Sequence, residues 1–394
     1  MSAPIPLEEA WERLFNLADP LAPEDIRIDD AGGRWLAADL RAFRTQPYAD
    51  LSAMDGFAVS GPGPWALVGE ARAGHEFDGE LSPGQAVRIS TGARCPGGTD
   101  GIVIVEEGEV AGETLTASPP RENKHIRRRG FDFSEGELLL AAGTRLSPAQ
   151  IALARSGGHG LVPVARRPRV AIIECGDELV ANPETCPPDK LPSSNGAMVA
   201  AMVRAASADA DVIGPLPDAR KELTEAVEAA GNADVIVTTA GASVGAHDHV
   251  YGALEDCGAD ITFWRVAIRP GKPLMVARLG KRIVIGLPGN PVSAYVTAFL
   301  FVLPLVRALQ GAVRSVPAAI TLPVSDSLPV GGDRREFWRS TFVDGWARPL
   351  PQRDSSALKA LAQADLLIDR PAAAPEAPAG SMVSCYWLEN GGLT

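Results

Sequence analysis

Gly241, Ser243 and Gly245 set one loop of this 394-residue chain apart: it runs Ala240-Gly-Ala-Ser-Val-Gly, follows the apolar segment Val235–Thr238 and precedes a helical stretch. Glycines at the end of a strand let backbone N–H groups approach a phosphate, and a helix opening there favours negative charge by ~0.3–1 kcal/mol. The same residues fit G-x-S-x-G, the elbow that presents a nucleophilic serine in α/β-hydrolases. That chemistry needs a general-base histidine well downstream, and the only histidines beyond Ser243 are His247 and His249. The hydrolase reading fails, and a tight turn that needs glycine stands as the plain alternative to a phosphate loop. Two further loops suit an anion. Arg269-Pro270-Gly271-Lys272-Pro273 holds two cations in a stiff turn, where each charge-assisted hydrogen bond contributes ~1.5–3 kcal/mol, although a solvated basic turn has the same composition. Gly271-Lys272 is no Walker A motif, because Pro273 follows and the upstream glycine is missing. Gly286-Leu287-Pro288-Gly289-Asn290-Pro291 places Asn290 at a helix cap and Pro291 at the first helical position.

Carboxylates stand beside these loops. Asp248 lies just past the first, and Asp177 and Glu178 lie just past the apolar run Val170–Ile173. If both preceding strands are parallel, these acids share one rim, and Mg²⁺ typically takes one or two carboxylates plus substrate phosphates. Each acid taken singly reads equally as a helix cap or a solvated charge. His247 and His249, two apart on a helix, point in different directions and read as structural. Elsewhere, Arg127-Arg128-Arg129 before Gly130-Phe131-Asp132 reads as a solvated face, and Met54-Asp55-Gly56 and Ser90-Thr91-Gly92-Ala93 read as turns.

The elements that must position these loops follow from the hydrophobic pattern. Apolar strands at Val170–Ile173, Val212–Ile213 and Val235–Thr238 alternate with helical stretches at Ala197–Ala206, Ala219–Ala230 and His249–Glu255. Strand then helix, repeated, predicts a doubly wound, mostly parallel sheet. Two more strands, Leu274–Ala277 and Ile283–Ile285, lead into a long helix, Pro291–Gln310, with a kink expected at Pro304. Before this region come an amphipathic helix over Leu7–Ala18, a β-rich stretch over Phe57–Leu140, and a helix punctuated by Ser147, Pro148 and Gly157. After Gly311 the runs are β-like again. The fold class expected is α/β, multidomain.

A net charge of −12 argues against nucleic acid or an anionic membrane surface as partner. The five cysteines include no CxxC pair, so neither a disulfide framework nor a zinc site is expected. The longest mostly apolar run, Ala294–Val306, is shorter than the roughly 20 residues a bilayer span needs. No basic stretch followed by an apolar one opens the chain, and a cytoplasmic location is expected.

Seven motifs in order resemble the molybdopterin molybdenumtransferase family, which includes the E domain of gephyrin: Asp50–Gly56, Arg88–Ala93, Arg127–Asp132, Gly176–Glu178, Gly241–Asp248, Arg269–Pro273 and Gly286–Ser293. The resemblance implies an L-shaped homodimer with four domains per subunit. These would be a discontinuous α/β linker domain (1–44 with 141–168), a β-rich insert (45–140), a molybdopterin-binding α/β domain (169–315) and a C-terminal β domain (316–394). It implies a Mg²⁺-dependent reaction in which adenylylated molybdopterin and molybdate give molybdenum cofactor and AMP. Asp248 and Glu178 would hold the metal, and Gly241, Ser243 and Gly245 the phosphate. Asp177, Arg269 and Lys272, with Pro288, Gly289, Asn290 and Ser293, would line the pterin and molybdate sites. Arg339, Ser355 and Ser356 would add to molybdate binding from the C-terminal domain. Asp55, Thr91 and Asp132 would reach the cleft from the partner subunit.

Molybdopterin adenylyltransferase and molybdoenzymes are the protein partners implied. The rival readings are a molybdopterin adenylyltransferase and a non-catalytic molybdopterin-binding scaffold. The chain departs from the family pattern at Ala240, where glycine is usual, and at Ala242, where valine is common. Arg269 stands where lysine is frequent, and Ser193 precedes Ser194-Asn195 where an aspartate is often found.

Overall fold

The apolar runs of the middle of the chain offer almost no polar face to water, so they are stable only when covered on both sides. In the computed structural model, which describes residues 3–239 and 249–388, they form the centre of a six-stranded sheet. Its spatial order is Asp209–Leu216, Arg169–Cys175, Val235–Thr238, Arg282–Gly286, Met275–Leu279 and Asp260–Trp264. The first four run parallel, and Met275–Leu279 runs antiparallel to both its neighbours. Alternate residues face opposite cores. Ile172, Val237 and Ile285 pack with Asn195–Ala205 and the helical run after Pro291, while Ile173, Ile236 and Val284 pack with Arg220–Ala229 and His249–Asp256. Arg169–Cys175 comes first in the chain and sits between the second and third strands, so the connections diverge at its carboxyl end. A crevice opens there.

The long helix is interrupted. Pro291–Thr297 is α-helical, Ala298–Val302 forms a π turn, and Leu303–Leu309 is α-helical again. Pro304 has no N–H to give the Leu300 carbonyl, and Trp11 Nε1 donates to that oxygen at 2.7 Å. Trp11 lies on the N-terminal helix Leu7–Phe15, whose Leu7, Ala10 and Leu14 are buried in the same core. This helix therefore packs on the α/β domain. An amphipathic face fits any apolar surface, and the pattern does not say which one. The run Pro291–Leu309 is long and apolar enough to cross a bilayer, but it is 89% buried inside the protein.

Residues before and after the insert share one small core. Pro23–Arg27 pairs antiparallel with Leu161–Ala165, and Ile28, Leu36, Leu146 and Val162 are buried between them and the helix Pro148–Ser156. The insert is a six-stranded sheet with Phe57 and Trp65 buried on one face and Val87 and Ile102 on the other. In the C-terminal sheet, Arg335–Val343 pairs with Leu366–Arg370, and its opposite edge takes the two-residue strand Ile268–Arg269 in parallel. That strand belongs to the basic loop of the α/β domain, so the loop is fastened to both domains.

Candidate functional site

A cavity of about 980 Å³ lies where the carboxyl edge of the parallel strands meets the C-terminal sheet. Glu178 reaches it from the turn after Arg169–Cys175. Arg269–Pro273 and Pro288–Ser293 form its flanks, and Glu336–Arg339 with Gln352–Ser356 close the far side.

The basic loop keeps its shape through Gly271. Its φ is +105°, and a Cβ there would lie 2.5 Å from Thr297 Cγ2, so no other residue fits. Arg269 pairs with Glu336 at 3.3 Å; its side chain is 64% exposed and that of Glu336 only 11%, which leaves the guanidinium open to the cavity. Lys272 lies in the same wall. The next turn is locked across the domain boundary. Asn290 holds the cap position but makes no cap bond. Its Nδ2 donates to Ser355 Oγ at 2.9 Å, and Val292 N donates to the Ser355 carbonyl at 3.0 Å. Because the Ser355 oxygen accepts from Asn290, its hydrogen is left to donate to a ligand. Pro288, Gly289 and Ser293 complete this wall, and Asn195 Nδ2 steadies it by donating to the Gly289 carbonyl at 2.7 Å.

Arg339 and Ser356 are engaged in shaping the C-terminal loop. The Arg339 guanidinium, 5% exposed as a residue, donates to the carbonyls of Gln352 (2.6 Å), Asp354 (3.0 Å) and Ala357 (3.1 Å). Burial holds its pKa below the ordinary arginine value, with Asp354 opposing. Ser356 Oγ and N donate to Asp354 Oδ1 at 2.6 and 2.8 Å, and these bonds hold the Asp354 carboxyl low.

The carboxylates divide. Asp177 faces away from the cavity, with its Oδ1 accepting from Asp218 N at 3.1 Å and its carbonyl accepting from Lys190 Nζ at 2.7 Å. Burial pushes the Asp218 carboxyl up, and the charges of Glu178 and Asp177 push it further, against the Cys175 thiol and His249. Among the described residues no group of three or more His, Cys, Asp or Glu converges as a metal centre. Glu178 in the wall still suits Mg²⁺, which keeps waters and phosphate oxygens and needs few protein ligands. Gly241, Ser243, Gly245, His247 and Asp248 lie outside the described residues.

The expected contributors from the insert are not in this chain's own cavity wall. Asp55 Oδ1 accepts from Thr91 N at 2.7 Å, which ties two turns together, and Asp132 N donates to the Gln46 carbonyl at 3.0 Å. Arg128 is bound to Asp50 and Asn123, so part of the arginine run is fastened and not freely solvated.

Glu174 is a residue the sequence reading missed. It is 2% exposed, its Oε1 accepts from Gly196 N at 2.7 Å, and its Oε2 accepts from Ser193 Oγ. A Cβ on Gly196 would lie 2.5 Å from this carboxylate. The signal was there: an acid inside the apolar strand Val170-Ala-Ile-Ile-Glu-Cys175. Glu174 presents its carboxylate to Ser193, the position where the resemblance leads one to expect an aspartate.

Comparison with known proteins agrees with this organisation. Residues 5–158 match the MoeA N-terminal region (domain I and II), 171–308 a probable molybdopterin binding domain, and 321–388 the MoeA C-terminal region (domain IV). The molybdopterin molybdenumtransferase of Nostoc sp. is 35% identical over 354 residues, covering 84% of this chain and 81% of the relative. That of Bacillus subtilis is 35% identical over 320 residues, covering 77% and 74%. The crystal structure of the molybdopterin biosynthesis MoeA protein from a Pyrococcus species superposes with a TM-score of 0.81 at 27% identity, covering 98% of this chain and 99% of that one. With its three regions matched in order and relatives alike across most of both chains, the chain belongs to the molybdopterin molybdenumtransferase family and is a transferase.

Proposed function

We propose that the chain inserts molybdate into adenylylated molybdopterin, with Mg²⁺-dependent release of AMP, to give molybdenum cofactor. The observation that carries this reading is the cavity itself. In a chain of net charge −12, Arg269, Lys272 and Arg353 gather around one space at the carboxyl edge of the parallel strands. Both substrates are anionic and need such a local field to enter an acidic protein. Lys272 and Arg269 neutralise the oxyanion, and Ser293 and Ser355 orient it by hydrogen bonds. Gly241, Ser243 and Gly245 hold phosphate. Glu178 and Asp248 hold Mg²⁺, which when bound offsets charge on the phosphoanhydride.

In this reading Asp55, Thr91 and Asp132 complete the cleft of the partner subunit in a homodimer. Their turns are exposed, and the apolar Tyr48, Met54 and Phe131 beside them are 50%, 41% and 76% exposed, which suits a surface that a second copy covers. The enzyme acts in the cytoplasm, between a molybdopterin adenylyltransferase and the molybdoenzymes that receive the cofactor.

Two incubations test the reaction class. Adenylylated molybdopterin with molybdate and Mg²⁺ should yield AMP, and molybdopterin with ATP should yield no pyrophosphate. Pyrophosphate from the second would make the chain an adenylyltransferase, and tight molybdopterin binding with neither product would make it a scaffold. Asp248→Ala should abolish AMP release while fold and dimer persist; wild-type turnover in that variant would remove the metal role.

A further inference from the structure

Two of the arginines that the C-terminal domain brings to the cavity wall bond to backbone carbonyls of the protein. Arg339 holds three loop carbonyls, and Arg334 Nη1 reaches the Ile268 carbonyl at 3.4 Å. Arg353 differs. Its guanidinium lies over the Trp338 ring, 3.2 Å from the ring centre, and it has no hydrogen-bond or ion-pair partner among the described residues. The platform beneath it is rigid, because Trp338 is 8% exposed and its Nε1 donates to Glu336 Oε2 at 3.0 Å. A guanidinium held over an indole face keeps its N–H donors free for a ligand, and the contact replaces part of its hydration.

The neighbouring carboxylates have hydrogen-bond partners of their own. Glu336 takes Arg269 as well as Trp338, and Asp354 accepts from Ser356 through both N and Oγ. Burial lowers the Arg353 pKa, Glu336 opposes this, and Arg269 adds to it.

We propose that Arg353, held over the Trp338 ring, binds a tetrahedral dianionic oxyanion in the cavity, while Arg339 is a positioning residue that fixes the loop carrying it. The identity of the anion rests on the insertion reading above. Molybdate and a substrate phosphate share this chemistry, and the test separates them.

Purified full-length chain is titrated calorimetrically with sodium molybdate and, separately, with inorganic phosphate. Wild type is compared with Arg353→Leu, Arg353→Gln, Arg353→Lys and Arg339→Met, with melting temperatures measured in parallel. Arg353→Leu and Arg353→Gln should bind the anion roughly tenfold or more weakly, as expected for loss of one charge-assisted fork. Arg353→Lys should lie between, because it keeps the charge without the fork. Melting temperatures of the Arg353 variants should stay near wild type, and that of Arg339→Met should fall.

A loss confined to molybdate assigns the site to the metalate, and a loss confined to phosphate assigns it to the phosphate of the other substrate. Unchanged affinity for both anions in the two charge-removing variants, or no saturable binding of either anion by wild type, overturns the proposal. The titration needs no turnover. Binding through Arg353 without AMP release would therefore refute the insertion reading alone, and AMP release with unchanged anion affinity in the variants would refute this proposal alone.

Discussion

Glu174 carries a carboxylate into the interior at 2% exposure, next to the crevice between the parallel strands. An unpaired charge there would cost several kcal/mol, and the N–H of Gly196 and the hydroxyl of Ser193 offset that cost. Together they fix the entry to the helix Asn195–Ala205, from which Asn195 holds the Gly289 turn of the cavity wall. Glu174→Ser should therefore lower stability by about 1–3 kcal/mol in urea denaturation. Adding Ser193→Asp, which returns a carboxylate from the opposite side, should recover most of the loss. A double variant as unstable as the single would show that the carboxylate is not interchangeable between the two positions.

Asp218 makes the opposite prediction. Burial and the charges of Glu178 and Asp177 raise its pKa, so on folding the ionised form is disfavoured and the protonated form is not. As pH rises, the unfolded chain ionises this group first, and the folded state loses stability between the ordinary carboxylate pKa and the raised one. Asp218→Asn should melt higher than wild type at neutral pH, and the gain should vanish below the ordinary carboxylate range. A gain that is independent of pH would contradict the cause given.

At the scale of elements, the interrupted helix after Pro291 takes a bond from outside it at its break. Trp11→Phe leaves the buried Leu300 carbonyl without the indole donor and should cost about 1–3 kcal/mol. In a Pro304→Ala background the helix can supply an N–H of its own, so the same substitution should cost less. Equal cost in both backgrounds, measured as a double-mutant cycle, would show that the proline does not create the need for Trp11.

The strands were legible in sequence because burial on both faces leaves an unbroken apolar run, as in Val235–Thr238. The helix starts were legible because Pro148 and Pro291 mark the first turn. Three features were not. The Leu7–Phe15 helix shows an apolar face without naming its partner. The π turn at Ala298–Val302 has the composition of any buried helix. The strand Ile268–Arg269 is too short for a period of two to register, although it joins the basic loop to the C-terminal sheet.

The whole molecule places chemistry where no single segment carries it. Lys272 and Glu178 reach the cavity from the α/β domain and Arg353 and Ser355 from the C-terminal domain, and the sequence showed the first set more clearly because glycine and proline punctuate its loops. Arg353 follows Pro349 and Pro351 but stands in no motif that marks a ligand site, and a lone arginine there reads as surface. Asp55, Thr91 and Asp132 belong to turns outside this chain's own cavity, and in the proposed reading they act from a second subunit. Mixing Asp55→Ala with Lys272→Ala protein under subunit exchange should restore activity to about a quarter of wild type, because half the dimers then hold one intact cleft. No recovery, with exchange verified, would place all catalytic groups in one chain.

The measurement closest to the central claim is AMP release from adenylylated molybdopterin at constant Mg²⁺ as molybdate is titrated. Release should rise with molybdate, saturate, and require roughly tenfold or more molybdate for half-saturation in Lys272→Ala. AMP release that is indifferent to molybdate, or absent while molybdopterin still binds, would contradict it.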